Sequence, residues 1–313
     1  MRLVFLGTPA FAVPTLERVL EAGHRVAAVY TQPDRPKGRG GQLAVSPVKE
    51  AALRLGLPVR QPARIRRPEV LDELRALEAA AMVVVGYGQI IPQSIIDLPR
   101  FGIINVHGSL LPKYRGAAPL QWAIASGEPV SGVTTMRIDA GLDTGDMLLK
   151  FETPIGPEET AIQLGARLAR AGADLLVQTL SGIENGTIVP TPQNDAEATL
   201  APILVKEDGR IDWNWPASKI DCRIRGFQPW PGAFTAFRGQ LLHIWKARPL
   251  AADSGPPGRL LTRGKLVVVA CGEGTSLELE EVQLEGRKRV PAQAFANGYR
   301  LTESEVLGSE TGV

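Results

Sequence analysis

The stretch Leu3-Val4-Phe5-Leu6-Gly7-Thr8-Pro9 decides the reading of the fold. Four apolar residues in a row, stopped at once by glycine and proline, are too short for a helix and read as a strand buried on both faces. Helical spacing follows over 11–22, carried by Phe11, Leu16, Val19 and Leu20, and stops at Gly23. A second apolar run covers 26–30. Helices are expected over 48–55 and 69–80, with a short strand at 59–60 between them. A third apolar run at 82–85 closes on Gly86-Tyr87-Gly88. Strands alternating with helices predict an α/β domain with a doubly wound, mostly parallel sheet. Such sheets bind ligands beyond the carboxyl ends of their strands, at a topological switch point. The segments at Gly7, 86–88 and 105–107 each follow a strand and are expected to gather there.

The third of these segments reads Asn105-Val106-His107-Gly108-Ser109-Leu110-Leu111-Pro112-Lys113-Tyr114-Arg115, and Gly141-Leu142-Asp143-Thr144-Gly145-Asp146 follows later. Asn105 and His107 stand two apart at the end of a strand expected over 101–106, so both point to one face. An amide donor and an imidazole on one face, with a carboxylate from a nearby loop, suit a carbonyl under attack by an amine. They supply a donor for the oxyanion, a base near neutrality and an acid that orients it. Plainer readings exist for each group. A lone histidine is more often structural, Asn105 can close an Asx-turn, and Asp143 can be an exposed turn acid with Asp146 as its competitor. His107 is favoured because it opens a Gly-Ser-Leu-Leu-Pro turn. His24, after Gly23, reads as a helix-end cap, and His243 as packing or surface.

Further strands are expected over 132–137 and 146–153, and a helix over 160–181. Residues 187–203 are rich in Pro, Thr, Gln and Asn, a linker composition. Beyond them come a helix near 217–225 and short strands over 232–237, 240–246, 266–270 and 276–283, which suit a small OB-like β-barrel. The expected domains are 1–189, a linker 190–206, and 207–313. Hydrophobic content of 44% and charged content of 22% are those of a soluble globular chain. The net charge of +2 hides two basic zones. Nine basic residues face the single acid Glu50 between Arg35 and Arg67, and basic residues outnumber acids from Lys206 to Lys265. This pattern suggests a localised polyanion contact, with a solvated Arg-rich face as the alternative.

The two cysteines, Cys222 and Cys271, form no CxxC pair, so neither a disulfide framework nor a zinc site is expected. No signal peptide or membrane-length apolar run is read, and a cytoplasmic chain is expected. The absence of G-x-G-x-x-G after the first strand disfavours NAD, and neither a P-loop nor G-x-S-x-G occurs. The insertion Asp34-Arg35-Pro36-Lys37-Gly38-Arg39-Gly40-Gly41 is either a floppy loop or a clamp that orders on phosphate. The glycine-flanked Lys37 and Arg39 favour the clamp.

The Asn105-x-His107 pair, the Ser109-Leu110-Leu111-Pro112 turn and the acid in Leu142-Asp143-Thr144-Gly145-Asp146 resemble the signature of the formyltetrahydrofolate-dependent formyltransferases. Phe5 to Pro9, the 31–40 loop, Ser46-Pro47-Val48-Lys49 and Phe227-Gln228-Pro229-Trp230-Pro231-Gly232 are similar to the branch of that family that acts on tRNA. The resemblance covers almost the whole chain. It implies a Rossmann-like catalytic domain, an OB-like tRNA-binding domain, and 10-formyltetrahydrofolate as co-substrate with no metal. The implied acceptor is the amine of initiator methionyl-tRNA, met by Arg35, Lys37, Arg39, Lys49 and Lys206. The pterin is expected against Tyr87, Gly88, Gln89, Ile90, Ser109, Leu110, Leu111, Pro112, Asp139 and Gly141. Asn105 and His107 would stabilise the oxyanion, and Asp143 would keep the imidazole charged or oriented. A monomer with no membrane partner is expected. Two other hypotheses compete. One is a sister enzyme that formylates a small amine, such as a purine precursor or an amino sugar. The other is a non-catalytic tRNA- or folate-binding protein, which the intact trio disfavours.

Overall fold

The computed structural model describes residues 1–37, 42–250, 255–302 and 305–308. The chain forms two compact units. One comprises Met1–Pro119, Val130–Pro154 and Gly165–Pro202; the other comprises Leu120–Pro129, Ile155–Leu164 and Ile203–Val313.

In the first unit the elements are β1 (Arg2–Gly7), α1 (Val13–Glu21), β2 (Arg25–Tyr30), α2 (Pro47–Arg54), β3 (Val59–Arg60), α3 (Pro68–Ala76), β4 (Ala81–Val85), α4 (Gln93–Ile96) and β5 (Ile103–His107). They are followed by α5 (Pro119–Ala125), β6 (Val130–Arg137), β7 (Met147–Pro154) and α6 (Ala161–Glu184), of which α5 and the first turn of α6 fall in the other unit. The sheet order is β7-β6-β5-β4-β1-β2-β3. β1 to β5 run parallel, and β6 and β7 add an antiparallel edge. Chain order reverses between β1 and β4, which makes the switch point. Leu3 to Leu6 are fully buried, and Val4 and Leu6 share a core with Ala28, Tyr30, Val84 and Ile103, under Val70 and Leu74 of α3. Strands covered on both faces need side chains that are apolar on both, hence the unbroken runs.

Differences at the element ends have local causes. α1 starts late because Ala10–Ala12 form a 3-10 turn, with Pro14 in the first turn of the helix. α3 ends at Ala76, ahead of Glu78, which sits at a φ of 47°. Ser46 caps α2 by accepting from the Lys49 amide at 3.0 Å, and its hydroxyl meets Thr31 Oγ1 at 2.7 Å, just after β2.

Within the segment expected as a linker, 190–206, residues up to Pro202 group with the first unit. Thr191 and Met147 exchange two main-chain hydrogen bonds of 2.9 Å. Leu200–Ala201 then pairs in parallel with Arg115–Gly116. Proline and amide-rich composition describes a strap as well as a tether. A strap differs only in that neighbours take up its polar groups.

The second unit carries α7 (Ala217–Gly226), β8 (Ala233–Phe237), β9 (Gln240–Leu250), β10 (Leu260–Arg263), β11 (Leu266–Ala270), β12 (Ser276–Leu284), β13 (Val290–Pro291) and α8 (Ala292–Tyr299). The sheet order is β8-β9-β12-β11-β10, with β13 on β12, and every pairing is antiparallel. Ile220 and Ile224 of α7 and Phe295 of α8 share a core with Leu242, Ile244, Val269, Leu277 and Leu279. The fold class is the one read from the sequence: a doubly wound, mostly parallel Rossmann-like sheet and a C-terminal OB-like antiparallel β domain. α8 escaped the reading because it buries only Ala292, Phe295 and Ala296, with Gly298 in its last turn.

Candidate active site

β5 delivers its two polar side chains where the parallel strands end. Asn105 lies opposite Val84 of β4 and Met136 of β6, and His107 opposite Thr134. Asn105 is 8% exposed and His107 5%. Asp143 arrives from the loop between β6 and β7. Its Oδ1 accepts from Asn105 Nδ2 at 3.4 Å, and its Oδ2 lies 3.7 Å from His107 Nδ1. The Gly116 amide donates to the same Oδ2 at 2.9 Å. Three residues expected from separate stretches are thus together, and Asp143, not Asp146, reaches the imidazole.

The tautomer of His107 follows from its second contact. Nε2 lies 2.9 Å from the Tyr114 carbonyl oxygen, which can only accept, so Nε2 carries a hydrogen. A neutral ring then presents the Nδ1 lone pair toward Asp143, and a protonated ring presents N–H there. Nδ1 is therefore the atom that exchanges a proton, with a carboxylate beside it to match the charged form.

The segments expected to hold a donor are built differently from one another. In the turn after β5, Ser109 Oγ donates to Lys113 O at 2.6 Å and Lys150 Nζ to Leu111 O at 2.6 Å. Thr134 Oγ1 donates to Ser109 O at 2.7 Å and accepts from Leu111 N at 3.1 Å. Leu111 and Pro112 are buried, and Leu110 is half-buried. Tyr87 turns its ring into the core, and burial pushes its hydroxyl pKa up to about 12. Gln89 is also turned inward, accepting from Ile65 N at 2.7 Å and donating to Pro62 O at 3.1 Å. This loop therefore offers its main chain around Gly88, at a φ of 81°, and the side chain of Ile90, which is 91% exposed. Asp139 closes the second loop through Gly141 N at 3.0 Å and Thr144 Oγ1 at 2.7 Å. A Cβ on Gly141 would lie 2.0 Å from Thr144 Oγ1, so the turn requires glycine. Leu142, between them, is 64% exposed.

Two residues next to the trio were not read from the sequence. Gln193 donates through Nε2 to the main-chain oxygens of Asp143 and Gly145, both at 2.8 Å. Arg115 holds the other end of that amide. Gln193 lies in the segment whose composition reads as a linker, whereas Arg115 ends the 105–115 segment, whose spacing assigns it no role.

The basic residues expected to meet a polyanion are scattered. Arg35 is exposed on the strand Arg35–Lys37, which carries Lys37 and pairs with Gln42–Ala44. Arg39 lies outside the described residues. Lys49 Nζ is 2.5 Å from Asp34 Oδ2, and this bond draws the Asp34 carboxyl below its ordinary range. Lys206 belongs to the second unit, 6.0 Å from the Phe234 ring, in a cleft of about 450 Å³ lined by Trp230, His243 and Trp245. Among the described residues no group of His, Cys, Asp and Glu is placed to hold a metal ion, and no helix is long and apolar enough to cross a membrane.

Two family models match the chain: one described as formyl transferase over residues 1–180, and one described as formyl transferase, C-terminal domain, over 203–300. The methionyl-tRNA formyltransferase of Solibacter usitatus is 69% identical over 98% of this chain and 99% of its own length. That of Koribacter versatilis is 60% identical over the same shares. The fold is similar to an N-formyltransferase from Helicobacter canadensis, solved with folinic acid and dTDP-3-aminofucose (TM-score 0.68, 19% identity, 88% of this chain and 98% of that one). It is also similar to HypX from Aquifex aeolicus, solved with tetrahydrofolic acid (TM-score 0.64, 18% identity, 96% of this chain and 47% of that one). Matched by both models along most of its length, the chain belongs to the formyl transferase family.

Proposed function

We propose that this chain transfers the formyl group of 10-formyltetrahydrofolate to the free amine of initiator methionyl-tRNA. The convergence of Asn105, His107 and Asp143 at the end of β5 carries the chemistry. Full-length identity to relatives of that name supports the acceptor.

The neutral amine attacks the formyl carbon, the new C–N bond forms, and the carbonyl electrons move to oxygen. Asn105 Nδ2–H donates to that oxyanion, and the positive charge of the protonated His107 ring stabilises it. Asp143 keeps the charged ring in place, while the Tyr114 carbonyl fixes its other nitrogen. The oxyanion collapses and the bond to N10 of the folate breaks. N10 takes up a proton, and the new amide gives one up through the imidazole or a held water. Losing one such oxyanion donor costs about 10²–10³ in turnover. The donor supplies the activated formyl group. The residues present suit its flat ring, since Ile90 and Leu142 leave apolar surface in water on two loops of the site. Arg35, Lys37 and Lys206 contribute the positive charge that a polyanionic acceptor needs.

The test incubates the protein with labelled formyl donor and charged initiator or elongator methionyl-tRNA. Label is expected on the initiator form. His107→Ala and Asn105→Ala should stay folded and lose about 10²-fold or more in kcat. Formylation of a small amine in place of either tRNA would reject the acceptor, and near-wild-type turnover by His107→Ala would reject the site.

A further inference from the structure

We infer that Gln193, fixed by Arg115, is a positioning residue that sets the Asp143 carboxylate against His107; the inference rests on the formyl-transfer reading above. The geometry leaves the Gln193 amide one orientation. Its Oε1 accepts from Arg115 Nε at 3.0 Å and Nη2 at 2.8 Å, so Nε2 must face the carbonyl oxygens of Asp143 and Gly145, each 2.8 Å away. Turned over, it would set oxygen against two carbonyls and an NH2 group against a guanidinium. Arg115 is 7% exposed, and its Nη2 also donates to Asp195 Oδ1 at 2.8 Å.

The Asp143 loop needs such a brace. Glycines stand at both ends, and Asp143 holds a φ of 53°, a left-handed conformation that a non-glycine residue keeps only when its surroundings enforce it. Gln193 holds the main chain of the loop, while the carboxylate itself is held by the Gly116 amide and by the long contact with Asn105. The strap that carries Gln193 also reaches the imidazole's partner. Thr199 Oγ1 accepts from Tyr114 N at 2.9 Å and Thr199 O from Arg115 N at 2.9 Å, while the Tyr114 carbonyl receives His107 Nε2. One segment thus sets the backbone on both sides of the acid–imidazole pair. Misplacing a catalytic group by about 1 Å can cost about 10²-fold in rate.

The test uses the full chain with Gln193→Met, which removes both polar ends, and Gln193→Glu, which keeps the size but turns a carboxylate on two carbonyls. Both should lower kcat about 10–100-fold, the range typical of groups that orient a reacting side chain, with each KM within about threefold of wild type. Because Gln193 acts through Asp143, adding Gln193→Met to Asp143→Asn should cost less than about twofold more. Hydrogen exchange at the Gly116 amide should be faster in Gln193→Met, a readout independent of turnover. Wild-type kcat in both variants, losses that multiply fully with Asp143→Asn, or unchanged exchange at Gly116 would each overturn the assignment. A wild-type protein without formyl transfer would instead sink the function, leaving the exchange rate to decide the brace.

Discussion

His107 and His243 show how surroundings divide one residue type between two tasks. His107 has a carbonyl on one nitrogen and a carboxylate beside the other, so both ring forms are provided for. His243 stacks on Trp245 at 5.4 Å and 18°, and its Nδ1 finds no hydrogen-bond partner among the described residues. Burial first, and the Lys206 charge second, hold its pKa below the ordinary value. A folded-state value below the unfolded one means that protons favour the unfolded chain. The stability is then whole above a pH of about 6.5 and falls as the pH drops from there toward the folded value. Thermal melts from about pH 7 to 5 should show this decline, and His243→Gln should flatten it. An unchanged slope in the variant would mean that the acid sensitivity lies elsewhere.

Among elements, the two-residue strand at Arg115–Gly116 has most resting on it. It pairs with Leu200–Ala201, and the Gly116 amide reaches the Asp143 carboxylate. Gly116 has a φ of 123°, and a Cβ there would lie 2.6 Å from Ala201 O. Gly116→Ala should therefore cost about 2 kcal/mol in urea unfolding and lower kcat as well. Normal values for both would show that the pairing can shift without consequence. So short a strand could not be read from sequence, because two residues show no periodicity. The buried strands were legible since both their faces are apolar, and Asn105 and His107 were legible since a period of two puts them on one face. Tyr87 and Gln89 illustrate the limit. Residue type could not tell whether a polar tip faces the ligand or closes on Ile65 and Pro62. Gln193 was missed because its partners are main-chain oxygens about fifty residues away in sequence, which no local pattern records.

At the scale of the whole molecule, near-neutral charge conceals a basic stretch between Arg35 and Arg67, but its members are not equivalent. Arg35 is exposed, whereas Lys49 is tied to Asp34. If the stretch meets phosphate, kcat/KM for methionyl-tRNA should fall steeply with salt. Arg35→Ala should then reduce the slope of log kcat/KM against log salt by about 1, while Lys49→Ala changes it little. Equal changes in the two variants would show that Lys49 meets phosphate as Arg35 does. The positive φ values of Tyr114 (60°) and Asp143 (53°) have a practical consequence of another kind. Each costs the native chain on the order of 1 kcal/mol, a cost that glycine avoids. Selection for heat tolerance alone exerts a pull toward glycine at both positions, and at 143 that exchange would discard the acid together with the bonds it accepts from Gly116 and Asn105. Engineering of this chain for durability should therefore lock position 143 and assay turnover in every round.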